Sequence, residues 1–171
     1  MANQDYVLLM ARYNMWQNQN LIEAASGLDQ AARQADRGAF FGSIEKTFSH
    51  LLWGDGIWLS RFEGRDPPAS YKSEHTALIE TWEQFQQDRV ALDRQILDWA
   101  RQVSPEWFEG DLTWYSGMSA KTASRPKKML AVQLFNHQTH HRGQIHAMLT
   151  AAGAKPDATD LQAIPDEFLG M

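Results

Sequence analysis

A chain of 171 residues without a cysteine has room for one domain with a sizeable core, and it excludes disulfides and thiolate metal ligands alike. Its formal net charge of -5 argues against binding a phosphate backbone, and the one compact basic cluster, Arg125-Pro126-Lys127-Lys128, suits a solvated loop or helix start, so no nucleic-acid partner is expected. The opening Met1-Ala2-Asn3-Gln4-Asp5 has no basic region followed by an apolar run, and no segment approaches the ~18 apolar residues of a membrane span, so the expectation is a cytoplasmic protein with no membrane partner.

Apolar periodicity predicts four amphipathic helices. The first runs from about Gln4 to Ser26, with Tyr6, Leu9, Tyr13, Trp16, Leu21 and Ala24 on its stripe and Gly27 as a stop. Within it, Tyr13-Asn14-Met15-Trp16-Gln17-Asn18 reads as core aromatics flanked by surface amides. The second begins near Phe41 and ends by Gly64, lined by Ile44, Phe48, Leu51, Leu52, Leu59 and Phe62. Arg65-Asp66-Pro67-Pro68 is a turn.

The third helix opens after Ser73, a good N-cap, and its stripe is Leu78, Trp82, Phe85, Arg89, Leu92, Ile96, Trp99 and Val103, closed by Pro105. Residues 104–127 hold the β-prone Trp107-Phe108 and Leu112-Thr113-Trp114-Tyr115, with turn chemistry at Gly117 and Ser119, which predicts a short hairpin. The fourth helix starts after Pro126 and ends at Gly153. The tail from Ala154 to Met171, with Pro156 and Pro165, is expected to cross the bundle as an extended segment. The fold class is therefore all-α: an antiparallel four-helix bundle with a hairpin-like insertion between helices three and four, one domain over residues 1–171.

Chemistry concentrates in Asn136-His137-Gln138-Thr139-His140-His141-Arg142-Gly143-Gln144-Ile145-His146, which carries four of the six histidines. Leu130, Leu134, His137, His141, Ile145 and Met148 recur at spacings of three and four and share one face. Two imidazoles one turn apart on a stripe aimed at a core are costly unless something binds them, and His at i and i+4 can ligate one divalent ion. His140 is a lower-ranked i+3 partner off the stripe, and His146 faces the opposite side. His75 falls in the first turn of the third helix and is expected to be exposed. His50 lies off the apolar stripe of helix two, among Ser43, Thr47, Gly54, Ile57 and Arg61; on spacing alone it reads as a solvated histidine. Asp55 sits in the centre of that stripe and needs a partner. The choices are a ligand histidine's Nδ1–H, Arg12 or Arg142, the Arg89 of helix three, or service as a base, with a structural pairing the simplest.

The motifs together resemble the DinB family of metalloenzymes, over nearly the whole chain. Tyr13-Asn14-x-Trp16-x-Asn18 is similar to that family's opening motif. Phe41-Gly42-Ser43-Ile44 with Thr47, His50-Leu51-Leu52, Asp55, Trp58 and Arg61-Phe62 resembles its second helix, Asn136 to Gln144 its fourth, and Gly153, Pro156 and Thr159-Asp160-Leu161 its close. The resemblance implies a four-helix bundle, often a homodimer, and three metal-ligating histidines that fall on His50, His137 and His141. Here the resemblance, not the spacing, makes His50 a ligand. It also implies induction by DNA damage without DNA binding, and a kinship with bacterial transferases and isomerases that use low-molecular-weight thiols.

Three imidazoles leave a divalent ion at least one open position; zinc and nickel suit such donors best, iron and manganese less well. The resulting expectation is metal-dependent activation of a small thiol for transfer to a small molecule. The alternatives are a metal-dependent hydrolase and a non-catalytic metal-binding stress-response protein. Arg12, Arg61 and Arg142 are candidate cations for a charged thiol and Asp55 a candidate base, so Asp55 and Arg142 stand as the catalytic candidates. Trp16, Trp53, Trp58 and Trp114 are candidate pocket walls.

Overall fold

Helix α1, Gln4–Ser26, opens on Asn3, whose side chain accepts the Tyr6 N–H and so satisfies one of the amides that a helix start leaves unpaired. It is the first of four long helices in a computed structural model that describes residues 2–72, 74–117 and 120–170. A five-residue helix α2, Gln30–Gln34, follows. Helix α3, Ile44–Phe62, is capped by Ser43, whose hydroxyl accepts the Lys46 N–H at 3.2 Å. Helix α4, Trp82–Gln102, is capped in the same way by Thr81. Strands β1, Asp111–Ser116, and β2, Lys121–Pro126, form an antiparallel hairpin in which Asp111 faces Pro126 and Ser116 faces Lys121. Helix α5, Lys127–Ala151, starts directly from the second strand, and a four-residue helix α6, Asp166–Leu169, lies near the end.

The long helices pack in a ring: α1 against α4 and α5, and α3 against α5 and α4. Ile44, Phe48, Leu51, Leu59, Phe85, Ile96, Leu134, Ile145 and Leu149 lie at 2% exposure or less and make the shared core. Aromatic edges close its two ends. Phe48, Trp82 and Phe85 meet with centroids 5.0 to 5.7 Å apart, and Phe62, Trp99 and Trp107 meet at 5.1 to 5.3 Å. The all-α class and the hairpin between the third and fourth long helices are as expected. Among the described residues no helix is long and apolar enough to cross a membrane.

Four local expectations are corrected. The third long helix begins at Trp82, not after residue 73; Leu78 belongs to the connection, where its N–H donates to Ser49 Oγ at 2.7 Å. Ser73, expected as the cap, lies outside the described residues, as does the turn residue Ser119. Phe41 stands outside α3, because Ser43 takes the capping position. Trp107-Phe108 is a 3-10 turn, Pro105–Phe108, since a proline opens it. The tail is held across α1 by extended backbone, with Gln17 Nε2 donating to Ala158 O at 2.9 Å and the Asp157 N–H to Asn20 Oδ1 at 2.8 Å. It then forms the short α6, which also packs on α1.

The amides of α1 are a fifth correction. Asn14, Gln17 and Asn18 are 1 to 2% exposed, not surface groups. Asn14 and Asn18 donate to Asp93 Oδ1 at 3.2 and 2.9 Å, and Arg142 donates to Asn14 Oδ1. Arg89 bridges Asp55 at 2.7 Å and Asp93 at 2.8 Å. One polar network thus joins all four long helices inside an apolar bundle.

Candidate metal centre

His50 projects from the second turn of α3, and His137 and His141 project from successive turns of α5, the helix packed against it. Ligand atoms from the three rings lie within 4.8 Å of one another. His50 Nε2 is 3.0 Å from His137 Nε2. The ring of His137 lies 4.4 Å from that of His141, and the ring of His50 4.7 Å from it, centroid to centroid. His141 is 7% exposed, while His50 and His137 are half-buried, so the cluster sits at the rim of the α3–α5 seam and solvent reaches it.

Gly54 makes the close approach possible. A Cβ at this position would stand 3.0 Å from His137 Cε1, so a side chain here would crowd the ring and require it to shift by a few tenths of an ångström. Phe41, held in the short connection before α3, lies over the cluster, 4.2 Å from the His50 ring and 5.3 Å from that of His141. Gly42, at φ +81°, supplies the left-handed backbone that turns this connection into the α3 cap.

The surroundings keep the imidazoles neutral. Burial, followed by the proximity of His137, His141 and His75, lowers His50 to about 3. Burial lowers His141 to about 4 against the opposing effect of its bond to Gln144, and burial also lowers His137. Neutral imidazole is the ligating form. Two neutral ring nitrogens facing each other at 3.0 Å repel unless a proton or a cation lies between them. Donors about 2.1 Å from one ion in tetrahedral geometry stand roughly 3–3.5 Å apart, so the His50–His137 spacing fits a shared metal. The donor set is nitrogen only: among the described residues no carboxylate joins the cluster. His141 Nδ1–H donates to Gln144 Oε1 at 2.7 Å, which leaves its Nε2 free to ligate. His137 Nδ1 is buried with no hydrogen-bond partner.

The DinB family model matches residues 1–167. The chain belongs to the DinB family. It is also similar to Protein DinB of Bacillus subtilis (strain 168), at 26% identity over 161 residues that cover 91% of each chain. No solved structure matches it.

The three histidines that the resemblance marked, His50, His137 and His141, are the three that this fold brings together, and the other histidines fall elsewhere. His140 is exposed, with its ring 4.9 Å from that of His141 but outside the converging set. His146 lines a separate cleft with Tyr13 and Thr159. Asp55, fully buried, gives Oδ2 to Arg89, and neither Asp55 nor Arg142 bonds a cluster nitrogen. Arg61 stacks over Trp58 at 4.7 Å and Trp114 at 5.4 Å. Of the four tryptophans proposed as walls, Trp53 stacks beside His50, its ring centroid 5.9 Å away.

Sequence reasoning missed Phe41, Gly54, Gln144 and His75 as neighbours of the cluster. Gln144 was accessible, being three residues after His141 and therefore on the same side of the helix. Phe41 and His75 were not, because both come from connections whose path only packing sets. The expectation that His75 is exposed is corrected: it is half-buried and its Nδ1 lies 3.0 Å from His50 Nδ1.

Proposed function

We propose that His50, His137 and His141 hold a divalent ion, zinc or nickel before iron or manganese, and that the protein uses it to activate a small thiol for transfer to a small-molecule substrate. The observation that carries this is the convergence of three neutral imidazoles at a solvent-reached rim, with no fourth protein donor among the described residues. When bound, such an ion supplies Lewis acidity that removes the proton of a coordinated thiol.

The chain's own residues set the conditions for that chemistry. Three uncharged donors leave the ion's positive charge undiminished. Gln144 fixes the His141 ring, and Phe41 shields one side of the cluster from water, which strengthens electrostatic interactions there. The thiol reading is preferred over hydrolysis because activating water benefits from a nearby base, and the candidate base, Asp55, is committed to Arg89 in the core. With no cysteine in the chain, the thiol must come from a cosubstrate.

Metal analysis of the purified protein, then cobalt substitution, tests this. A small thiol added to the cobalt protein is expected to produce a sulfur-to-metal charge-transfer band. Conjugation of an electrophilic substrate should follow with the metal restored. A cobalt spectrum that ignores both thiol and azide would mean a closed site and a metal-binding role without turnover. Esterase activity without thiol dependence would favour the hydrolase.

A further inference from the structure

The connection between α3 and α4 is fastened to α3 on both sides of His50. Ser49 Oγ, 1% exposed as a residue, donates to His75 O at 3.1 Å and accepts the Leu78 N–H at 2.7 Å. Trp53 Nε1 donates to Tyr71 O at 2.8 Å. Tyr71 in turn packs where a side chain at Gly56 would be, since a Cβ there would lie 2.0 Å from its ring. These anchors come from positions 49, 53 and 56 of one helix, so the segment that carries His75 is laid along the side of α3 that bears His50. The imidazole of His75 is also walled by Trp53 and Phe41, with ring centroids 5.4 and 5.6 Å away.

His50 therefore has a nitrogen neighbour at each end of its ring: His137 Nε2 is 3.0 Å from its Nε2, and His75 Nδ1 is 3.0 Å from its Nδ1. The two nitrogens of an imidazole point away from each other across the ring, so a group bonded at Nδ1 cannot reach an ion held at Nε2. His75 stands outside the ligand set, in the place that a carboxylate or carbonyl takes behind many metal-binding histidines.

We propose that His75 is a positioning residue: its Nδ1 accepts the Nδ1–H of His50, which fixes the tautomer that leaves His50 Nε2 free to ligate and aims it at His137 and His141. The role rests on the metal reading above. It matches what Gln144 does for His141, but through a connection and across 25 positions of sequence rather than within one helix turn. Two of the three ligands are then oriented before any ion arrives, one by a helix neighbour and one by the fastened segment.

The test measures zinc affinity by competition with a chromophoric chelator, alongside 15N NMR of the imidazoles in metal-free and zinc-loaded protein. His75→Phe keeps the ring's bulk but has no acceptor, and is expected to lower zinc affinity about 10–100-fold with far-UV circular dichroism unchanged. His75→Asn places its Oδ1 where Nδ1 was and should recover most of that loss. Ser49→Ala, which loosens the segment without touching the acceptor, should show a smaller loss. In the wild type, His50 is expected to carry its proton on Nδ1, with a through-bond coupling to His75 Nδ1 in the metal-free protein; this readout stands even if a variant fails to fold.

Wild-type zinc affinity in His75→Phe, or an equal loss in Phe and Asn variants, would overturn the role while leaving the metal site intact; a His50 proton on Nε2 in the zinc-loaded protein would overturn the role and His50 Nε2 as a ligand together. A wild type that takes up no zinc, nickel, iron or manganese would remove the metal reading itself, and this role with it.

Discussion

In the middle of the bundle, Asp55, Arg89, Asp93, Asn14, Asn18 and Arg142 are polar groups on apolar stripes; at the α3–α5 rim, His50, His137 and His141 are polar groups on or beside such stripes. The first set pairs its charges within the protein, leaving Asp55 Oδ1 and Arg89 Nε without a hydrogen-bond partner. Each carboxylate meets a guanidinium or an amide, and every long helix contributes a member. The second set is open. Its nearest approach is 3.0 Å between two Nε2 atoms, a spacing that a shared proton or a shared cation fits. A buried polar cluster whose charges are matched within the protein reads as structure, whereas converging neutral ring nitrogens at a solvent-reached rim read as a site.

The sharpest way to break this contrast is His50→Ala. It should abolish stoichiometric zinc uptake, because two imidazoles do not make a tetrahedral site, yet leave helical content unchanged, because the half-buried ring lies outside the core. Metal retained at full stoichiometry, measured by elemental analysis after desalting, would reject His50 as a ligand. Arg89→Met reverses the pattern. It strands two carboxylates in the core and should cost about 3–5 kcal/mol in urea unfolding of the metal-free protein. If Arg89→Met proves as stable as wild type, the network is not structural.

A smaller effect is expected from Gln144→Leu, which removes the acceptor behind His141. Zinc affinity should fall about 10–100-fold, equivalent to ~1.4–2.7 kcal/mol, with the stability of the metal-free protein little changed. An unaltered affinity would show that the His141 ring is held by packing alone.

The smallest effect concerns pH, where the two regions carry opposite signs. His50 and His141 are lowered to about 3 and about 4, so below the ordinary 6.5 of an unfolded histidine the unfolded chain binds more protons. Their contribution is complete above about 6.5 and is lost as pH falls towards 4 and 3. His50 is half-buried and the cluster lies at a rim that solvent reaches, so screening keeps the contribution small. Asp93 is different: burial pushes it up to about 6 despite Arg89, so the folded state holds its proton more tightly and stability from this group grows as pH falls through 6. In metal-free protein the two trends oppose each other. Asp93→Asn should remove the second and make the melting temperature fall more steeply between pH 6.5 and 4. A slope unchanged from wild type would separate Asp93 from the acid response.

Much of this was legible in the chain because helical periodicity is a local property. The stripe Trp82, Phe85, Arg89, Leu92, Ile96, Trp99 and Val103 is buried as its spacing requires, and the α5 face carrying Leu130, Leu134, His141, Ile145 and Met148 is buried likewise. The pairing of His137 with His141 followed from one turn of helix. His50 did not follow from spacing, because its own helix gives it a mixed face; only the resemblance to the DinB family marked it as a ligand. Asn14, Gln17 and Asn18 were misread because an amide beside an apolar stripe is usually solvated, and their partners lie far along the chain: Asp93, on a helix that packing brings alongside, for Asn14 and Asn18, and the Ala158 carbonyl of the tail for Gln17.

The sequence by itself determined the four long helices, the hairpin before the last of them, and a pair of imidazoles one turn apart. Hydrogen bonds within a helix and side-chain period depend only on neighbours in the chain. Tertiary structure alone decided how helices from distant parts of the chain register against each other. That register sets His50 against His137 across the seam that Gly54 keeps narrow, gives Arg89 to Asp55 instead of leaving Asp55 to a histidine, and lays the segment before α4 along α3 so that His75 meets His50. Contacts of this kind depend on side-chain volume and on where connecting backbone is fastened, and neither is encoded by the pattern of any single helix.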